Sequence, residues 1–411
     1  MRILLQHVTN TLNYGSMMMA ENLITYLNRI YSEEIRYEID SNKQEDLERL
    51  KKATNYDKID FQQVKLYEKN TNRIKKVLTY KKQKEKIGSS YDYIIFLGGD
   101  DFSEIYAPSF KSKIYLLWNL LGMKYLNVRK NVILLGQTIG PYTGIRKKLA
   151  SKVFQDIKVI TRDDCNLEEM QKQYTIKAIS SRDLAFLELN LQQDYESKYQ
   201  EILKEYALNE NKYIVIVGTG LYALYCKEEQ VFLEGFINMI KTIKQKMPDK
   251  EIVWLSHVTT DRPANSDNVL LEKLQKKFPD ELKDLICISE KMLPVKARII
   301  LGHAYTTITC RMHAAVSSFQ MGRPAICLSY SPKYKGVIAE GLNQKELVIE
   351  AKGELFWKNE VSKKIEEKLD YIIRNYKELV KKATFEVKKC QEKVYATLEN
   401  LLDSKGKSND R

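Results

Sequence analysis

Short apolar runs rich in Ile and Val alternate along the chain with longer stretches of helical period, the pattern of parallel sheets covered by helices. Strands are predicted at Arg2–Gln6, Arg36–Ile39, Tyr93–Leu97, Asn131–Leu135, Val159–Thr161 and near Ile176–Ile179. Amphipathic helices fall between them around Met18–Ile30, Ser112–Leu121, Arg146–Phe154 and Cys165–Lys172. After Leu187 the apolar rhythm weakens, and a second series starts at Tyr213–Val217. It continues with a helix at Glu229–Lys246, strands at Ile252–Ser256, Leu285–Ile288 and Thr306–Cys310, a helix from Arg311, and a strand at Ala325–Ser329. The fold class predicted is α/β, with two Rossmann-like domains facing a cleft, over residues 1–190 and 211–360. A long helix with a frayed tail is predicted over 361–411, its apolar stripe carried by Leu369, Ile372, Ile373, Tyr376, Leu379 and Val380.

Ligands of open α/β sheets bind beyond the carboxyl ends of the strands, so chemistry is sought just after each strand. The run Thr306–Gly336 is the most informative. Its strand ends in Arg311-Met312-His313, and the small residues Ala314, Ala315, Ser317 and Ser318 let a helix begin close to the sheet. A cation at a helix N-terminus is disfavoured by roughly 0.3–1 kcal/mol unless an anion offsets it. A bound phosphate or carboxylate would do so through charge-assisted hydrogen bonds of about 1.5–3 kcal/mol each. Arg162-Asp163-Asp164 follows a strand in the same way in the first half, with either an anion or a neighbouring carboxylate as the partner of Arg162.

Gly98-Gly99-Asp100-Asp101 and Gly136-Gln137-Thr138-Ile139-Gly140-Pro141 close two further strands, where glycine serves either a ligand or the turn itself. Asp100 or Asp101 is a candidate base or a helix N-cap. Asn13-Tyr14-Gly15, after the first strand, is a candidate pocket lining. Lys333 is close enough in sequence to reach the anion of Arg311, or is a solvated lysine. His257 and Asp267 are read as ordinary loop residues, and His7 and His303 as structural. Four histidines without HxH or HExxH spacing give no metal site. No GxxxxGK[ST] loop and no GxGxxG opening a helix after a strand is present, which excludes Walker-type ATPase and standard dinucleotide readings.

The 411 residues carry 67 Lys and Arg against 54 Asp and Glu, a net charge of +13 that calls for an anionic partner. Much of the excess sits in residues 65–86, with nine basic residues against two acidic, and in 361–411, with thirteen against nine. Without an interleaved aromatic stacking motif, nucleic acid is not the expected partner. A solvated helix face and a seat on an anionic inner-membrane surface both stay open for 65–86. Six scattered cysteines, no signal-peptide core and no apolar run of membrane-spanning length point to a cytoplasmic protein, peripheral at most to the membrane.

Taken in order, GGDD at 98–101, GQTIGP at 136–141, RDD at 162–164, RMH at 311–313, GRP at 322–324 and SYSPK at 329–333 resemble the motifs of the polysaccharide pyruvyl transferase family. The resemblance runs from Asn13 to Lys333. It implies a glycosyltransferase-B-like architecture, phosphoenolpyruvate as donor and co-substrate, no further cofactor, and a pair of sugar hydroxyls as acceptor. It places the family's R-x-H motif on Arg311 and His313, its first-domain arginine on Arg162, and the terminal helix back across the first domain. Donor contacts are thereby expected from Arg162, Arg311, Met312, His313 and Lys333. Acceptor-side contacts are expected from Asn13, Tyr14, Gly15, Gly98, Gly99, Asp100, Asp101 and Gln137. Asp100 stands where many relatives carry a third glycine. Two rivals share the architecture: a nucleotide-sugar glycosyltransferase, although Glu340, Glu346 and Glu350 lack E-x7-E spacing, and a non-catalytic phosphate-binding protein.

Overall fold

The computed structural model describes residues 1–64, 73–99, 102–107, 109–260 and 265–402. Two wholly parallel sheets are formed, of seven and six strands. The first contains β1 (Arg2–Gln6), β2 (Arg36–Ile39), β3 (Ile59–Phe61), β4 (Tyr93–Gly99), β5 (Val132–Gln137), β6 (Lys158–Thr161) and β7 (Ala178–Ser180). Its order is β3-β2-β1-β4-β5-β6-β7, so the direction of winding reverses between β1 and β4. The second contains β8 (Tyr213–Val217), β9 (Glu251–Leu255), β10 (Ile286–Ile288), β11 (Thr306–Thr309), β12 (Ala325–Ser329) and β13 (Val348–Glu350). Its order is β10-β9-β8-β11-β12-β13, and its reversal falls between β8 and β11. The α/β class with two Rossmann-like sheets expected from the hydrophobic pattern is therefore observed.

Contacts group the chain into two compact units: Met1–Thr11 with Met19–Leu184 and the chain from Lys393, and Leu12–Met18 with Ala185–Glu392. In the first, Phe96, Leu134, Phe154, Val159 and Tyr174 meet in a core between sheet and helices. In the second, Tyr14, Val215, Val253, Ile299 and Ala314 do the same. The central strands β5, β8, β11 and β12 are buried along their whole length, which is why they read as unbroken apolar or small-residue runs.

The helix over Val361–Glu399 contains a break at Asn375, whose φ and ψ of −117° and 15° are not helical. The Asn375 side-chain amide donates to Tyr371 O at 2.8 Å, a back-bond that competes with the regular ladder. Of the predicted stripe, Leu369, Ile372 and Leu379 are buried, whereas Ile373 is 44 % exposed. Past the break, the helix end is fastened within the first unit. Tyr31 Oη lies within 3.3 Å of the carbonyls of Leu398, Glu399 and Leu402, and Lys158 Nζ donates to Asn400 O and Leu401 O at 2.9 and 2.7 Å. Among the described residues no helix is long and apolar enough to cross a membrane.

Candidate active site

The winding reversal of the second sheet puts the ends of β8 and β11 side by side, and β11 delivers Arg311 and His313 there. Thr309 builds the exit turn: its hydroxyl oxygen accepts from Arg311 N at 2.8 Å and its proton goes to Arg311 O at 2.9 Å. The carbonyl of the intervening Cys310 accepts from the hydroxyls of Tyr225 and Tyr334 at 3.0 and 2.6 Å. Arg311 is thereby fixed in extended backbone as the N-cap of helix Met312–Gln320. Ala314, Ala315, Ser317 and Ser318 lie fully buried behind it, so the helix sits as close to the sheet as their size predicts.

The anion that offsets Arg311 is a side chain of the protein. Arg311 Nε and Nη2 donate to Asp267 Oδ1 at 3.0 and 2.7 Å, and Nη2 also donates to Asn265 O at 2.5 Å. The other carboxylate oxygen of Asp267 accepts from the backbone N–H groups of His257 and Val258 at 3.0 and 2.8 Å. The sequence favours a bound anion over a structural ion pair as the partner of Arg311; the ion pair is present, made by Asp267, fully buried at the start of helix Asp267–Lys277. Burial pushes its carboxyl upward, against the pull of Arg311 and the two N–H groups. Arg311 keeps 14 % of its side chain exposed, and its Nη1 makes no hydrogen bond among the described residues.

His313 is half-buried one residue into the same helix, and the segment Leu12–Gly15 lies against it. That segment is laid along the exit of β9: Asn13 bridges Val258, Tyr14 N donates to His257 O at 3.2 Å, and Thr259 N donates to Leu12 O at 3.0 Å. Gly15 arrives so close to the His313 ring that a Cβ at position 15 would stand 2.1 Å from Nδ1. Tyr14 is fully buried, and its hydroxyl accepts from Met292 N at 2.9 Å and faces Glu290 O at 3.4 Å. It therefore supports the site as packing, not as the open pocket lining expected. Asn13 is half-buried beside it.

His257, whose place in the sequence suggests an ordinary loop residue, is buried with its ring 5.3 Å from that of Tyr14. Burial pushes its imidazole well below the usual histidine range, and the charges of His313 and Arg311 act in the same direction, so it is neutral near pH 7. The signal for Asp267 is present in the sequence: Ser266-Asp267 before the apolar Val269-Leu270-Leu271 is a helix start in the stretch between β9 and β10. Met312, expected at the donor, is 4 % exposed and packs in the core. Lys333 Nζ donates to Tyr330 Oη at 2.8 Å, and Tyr330 lies near enough to act on the charge of Arg311. A small cleft of about 220 Å³ beside Gly220 is lined by Thr219, Tyr222, Glu229 and Lys273, but not by Arg311.

In the first unit, Arg162 is 2 % exposed, with Nη2 donating to Thr138 Oγ1 at 2.8 Å and Nη1 to Asp183 at 3.4 Å. Of the two partners left open by the sequence, the carboxylate is the one observed. Asp163 caps helix Asp164–Tyr174 through Asn166 N at 2.7 Å. Asp164 bonds Arg182 at 2.6 Å, and this bond, with Ser180 and the Lys393 charge, holds its carboxyl well below the usual range. Gln137 is fully buried and donates to Leu97 O and Gly98 O at 2.9 and 3.0 Å, so it ties β5 to β4 and does not line an opening. Gly98 and Gly99 close β4, and the φ of 123° at Gly99 accounts for glycine there by the turn alone. Asp100 and Asp101 lie outside the described residues. His7 and His303 are partnered by Gln137 and by Glu196, as structural histidines are. Among the described residues no group of three His, Cys, Asp or Glu is arranged to hold a metal ion.

The fold and the β11 site together define a two-sheet α/β protein with an arginine and a histidine presented at a switch point. The polysaccharide pyruvyl transferase family model matches residues 13–332, and the chain belongs to that family. It is 24 % identical over 257 residues to the amylovoran biosynthesis protein AmsJ of Erwinia amylovora, covering 61 % of this chain and 59 % of that protein. The chain thus spans a little under two thirds of this curated relative. Among solved structures it is similar to UDP-GlcNAc 2-epimerase from Neisseria meningitidis bound to UDP-GlcNAc, with a TM-score of 0.60 at 12 % identity over 98 % of this chain and 100 % of that one. The UDP-N-acetylglucosamine 2-epimerase from Rickettsia bellii gives 0.56 at 11 % identity over 98 % and 99 %. At such identities the likeness is one of fold, and it agrees with the glycosyltransferase-B-like architecture expected.

Proposed function

We propose that this chain moves the pyruvyl group of phosphoenolpyruvate onto two hydroxyls of a sugar in a cell-surface glycan precursor, in the cytoplasm, forming a ketal and releasing phosphate. The observation that carries this reading is the pairing of Arg311 and His313 at the end of β11, inside the family match, with Asp267 bracing the one and Gly15 making room for the other. The reaction must place a proton on the methylene carbon of the donor, take protons from two sugar hydroxyls, and break the bond from C2 to the phosphate oxygen. His313, one residue into the helix that Arg311 caps, is the imidazole that gives and takes those protons. Arg311, aimed by Asp267 and with Nη1 in hand, binds the donor's phosphate or carboxylate and stabilises the departing phosphate. Lys333 is a second cation on the same side of the sheet.

The test is to mix the protein with phosphoenolpyruvate and a panel of lipid-linked and soluble glycans, following inorganic phosphate and acceptor mass. Phosphate release that requires acceptor, with one pyruvyl ketal appearing on the glycan, is expected. Donor binding that is unchanged in Arg311→Ala would remove Arg311 from the site, and release of phosphate without acceptor would make the protein a phosphatase instead.

A further inference from the structure

Two helices of the first unit, Arg73–Ser90 and Phe110–Leu126, together carry ten basic residues and one acidic, Glu85. They pack side by side and run in the same direction. Tyr80 Oη donates to Trp118 O at 3.1 Å and stands where a Cβ on Gly122 would be, while Gly88 meets Leu126. The contact thus advances in step along both helices, and it brings their N-terminal ends together. Five large apolar side chains are exposed at that end: Phe110 at 80 %, Tyr115 at 68 %, Leu78 at 54 %, Ile114 at 41 % and Val77 at 40 %. Single exposed apolar residues are ordinary, but five at one end of a helix pair are a surface that something covers.

Charge identifies what covers it. Lys111 lies between Phe110 and Ile114, Lys113 beside Ile114, and Lys81 and Lys82 one turn beyond Val77 and Leu78. Glu85, the only acid on either helix, is 3.6 Å from Lys81. Apolar side chains ringed by lysines match the boundary between acyl chains and anionic headgroups, each apolar group entering the first and each ammonium reaching the second. Nucleic acid supplies the anion but no apolar layer for Leu78, Ile114 and Val77. We infer that the paired N-terminal ends of helices 73–90 and 110–126 form a docking surface for an anionic lipid bilayer, which seats the protein peripherally on the membrane.

The test reads vesicle binding without donor or acceptor, so its result is independent of the proposed transferase activity. Full-length protein is floated with vesicles of phosphatidylcholine alone or with added phosphatidylglycerol, at low and high salt. Binding only to the anionic vesicles, falling as salt rises, is expected. Lys111→Glu with Lys113→Glu weakens it by at least about tenfold, and Phe110→Ser with Tyr115→Ser by a similar factor. Both pairs are on exposed positions, and an unchanged thermal midpoint shows that the fold survives. Equal binding to neutral vesicles, no effect of either pair, or a dimer in solution that the Phe110 and Tyr115 changes dissociate would overturn the inference. Binding to single-stranded RNA that tracks the lysines and ignores the apolar pair would do the same.

Discussion

Gly15 and His313 are in contact so close that a side chain at position 15 would displace the ring: its first carbon would overlap the imidazole at 2.1 Å from Nδ1 and 2.5 Å from Cγ. Two segments almost 300 residues apart in sequence thereby set where the ring can stand. Gly15→Ala must push His313 or the helix start aside. Steady-state transfer is expected to fall roughly 100-fold, the scale of an ångström-sized misplacement, with donor affinity changing little because Arg311 is untouched. Overpacking also lowers unfolding free energy by about 1–3 kcal/mol in denaturant titration. Full turnover in the variant would mean that the ring position is not set from this side.

Asp267 and Arg311 are a buried pair, and the cost of disturbing it depends on which partner is lost. Asp267→Asn leaves a cation facing two neutral acceptors and is expected to cost about 3–5 kcal/mol in urea unfolding. The double variant Asp267→Asn with Arg311→Met, which removes both charges and keeps an acceptor for the N–H groups of His257 and Val258, is expected to recover most of that stability while showing no donor binding by calorimetry. A double variant no more stable than the single one would deny the pair its coupling.

Acid stability follows from two groups with opposite surroundings. Buried His257 has its titration depressed below the roughly 6.5 of an unfolded histidine. Below that pH the unfolded chain binds the proton that the folded one refuses, so stability present above pH 6.5 declines as pH drops. Asp164, held low by Arg182, adds stability that is present above the unfolded carboxylate value near 3.9 and is lost as pH falls toward its folded value. Thermal midpoints measured from pH 8 down to 3 should fall in two stages. His257→Phe is expected to flatten the upper stage alone.

The end of the terminal helix is held by side chains from the first unit. Tyr31→Phe removes the hydroxyl that meets three carbonyls and accepts from Leu402 N at 3.1 Å. A loss of about 0.5–1.5 kcal/mol is expected, together with faster amide exchange confined to the last helical turns. Protection unchanged after Leu398 would show the clamp to be ornamental.

Elements whose burial is complete were legible in the sequence. Tyr213–Val217 and Ala325–Ser329 lie at the predicted bounds because a parallel strand buried along its whole length reads as an unbroken apolar or small-residue run. The three-residue strands Ile59–Phe61 and Val348–Glu350 were missed, being too short to show any period. Helices Gln44–Thr54 and Asp267–Lys277 were also missed, since each presents few apolar residues and much charge. The same limit applied to the site. The places of Arg311 and His313 after a clear strand, and of Gly15 in its motif, could be read, but the contacts that Asp267 and His257 make with them are created only by the tertiary fold. Tyr14 and Gln137 misled in the other direction, because a polar atom in a sequence motif does not reveal that its bonds are spent inside the protein.

The Thr309 hydroxyl bonds both sides of the Arg311 peptide, and Asp267 grips the guanidinium from its far end. Little rotamer freedom is left in that arginine before any ligand arrives. An anion meeting it need not restrain a loose side chain, a cost of about 0.5–1.5 kcal/mol elsewhere. What that rigidity gives up is tolerance: a site that cannot adjust its cation selects ligands by the spacing of their negative oxygens as much as by their charge.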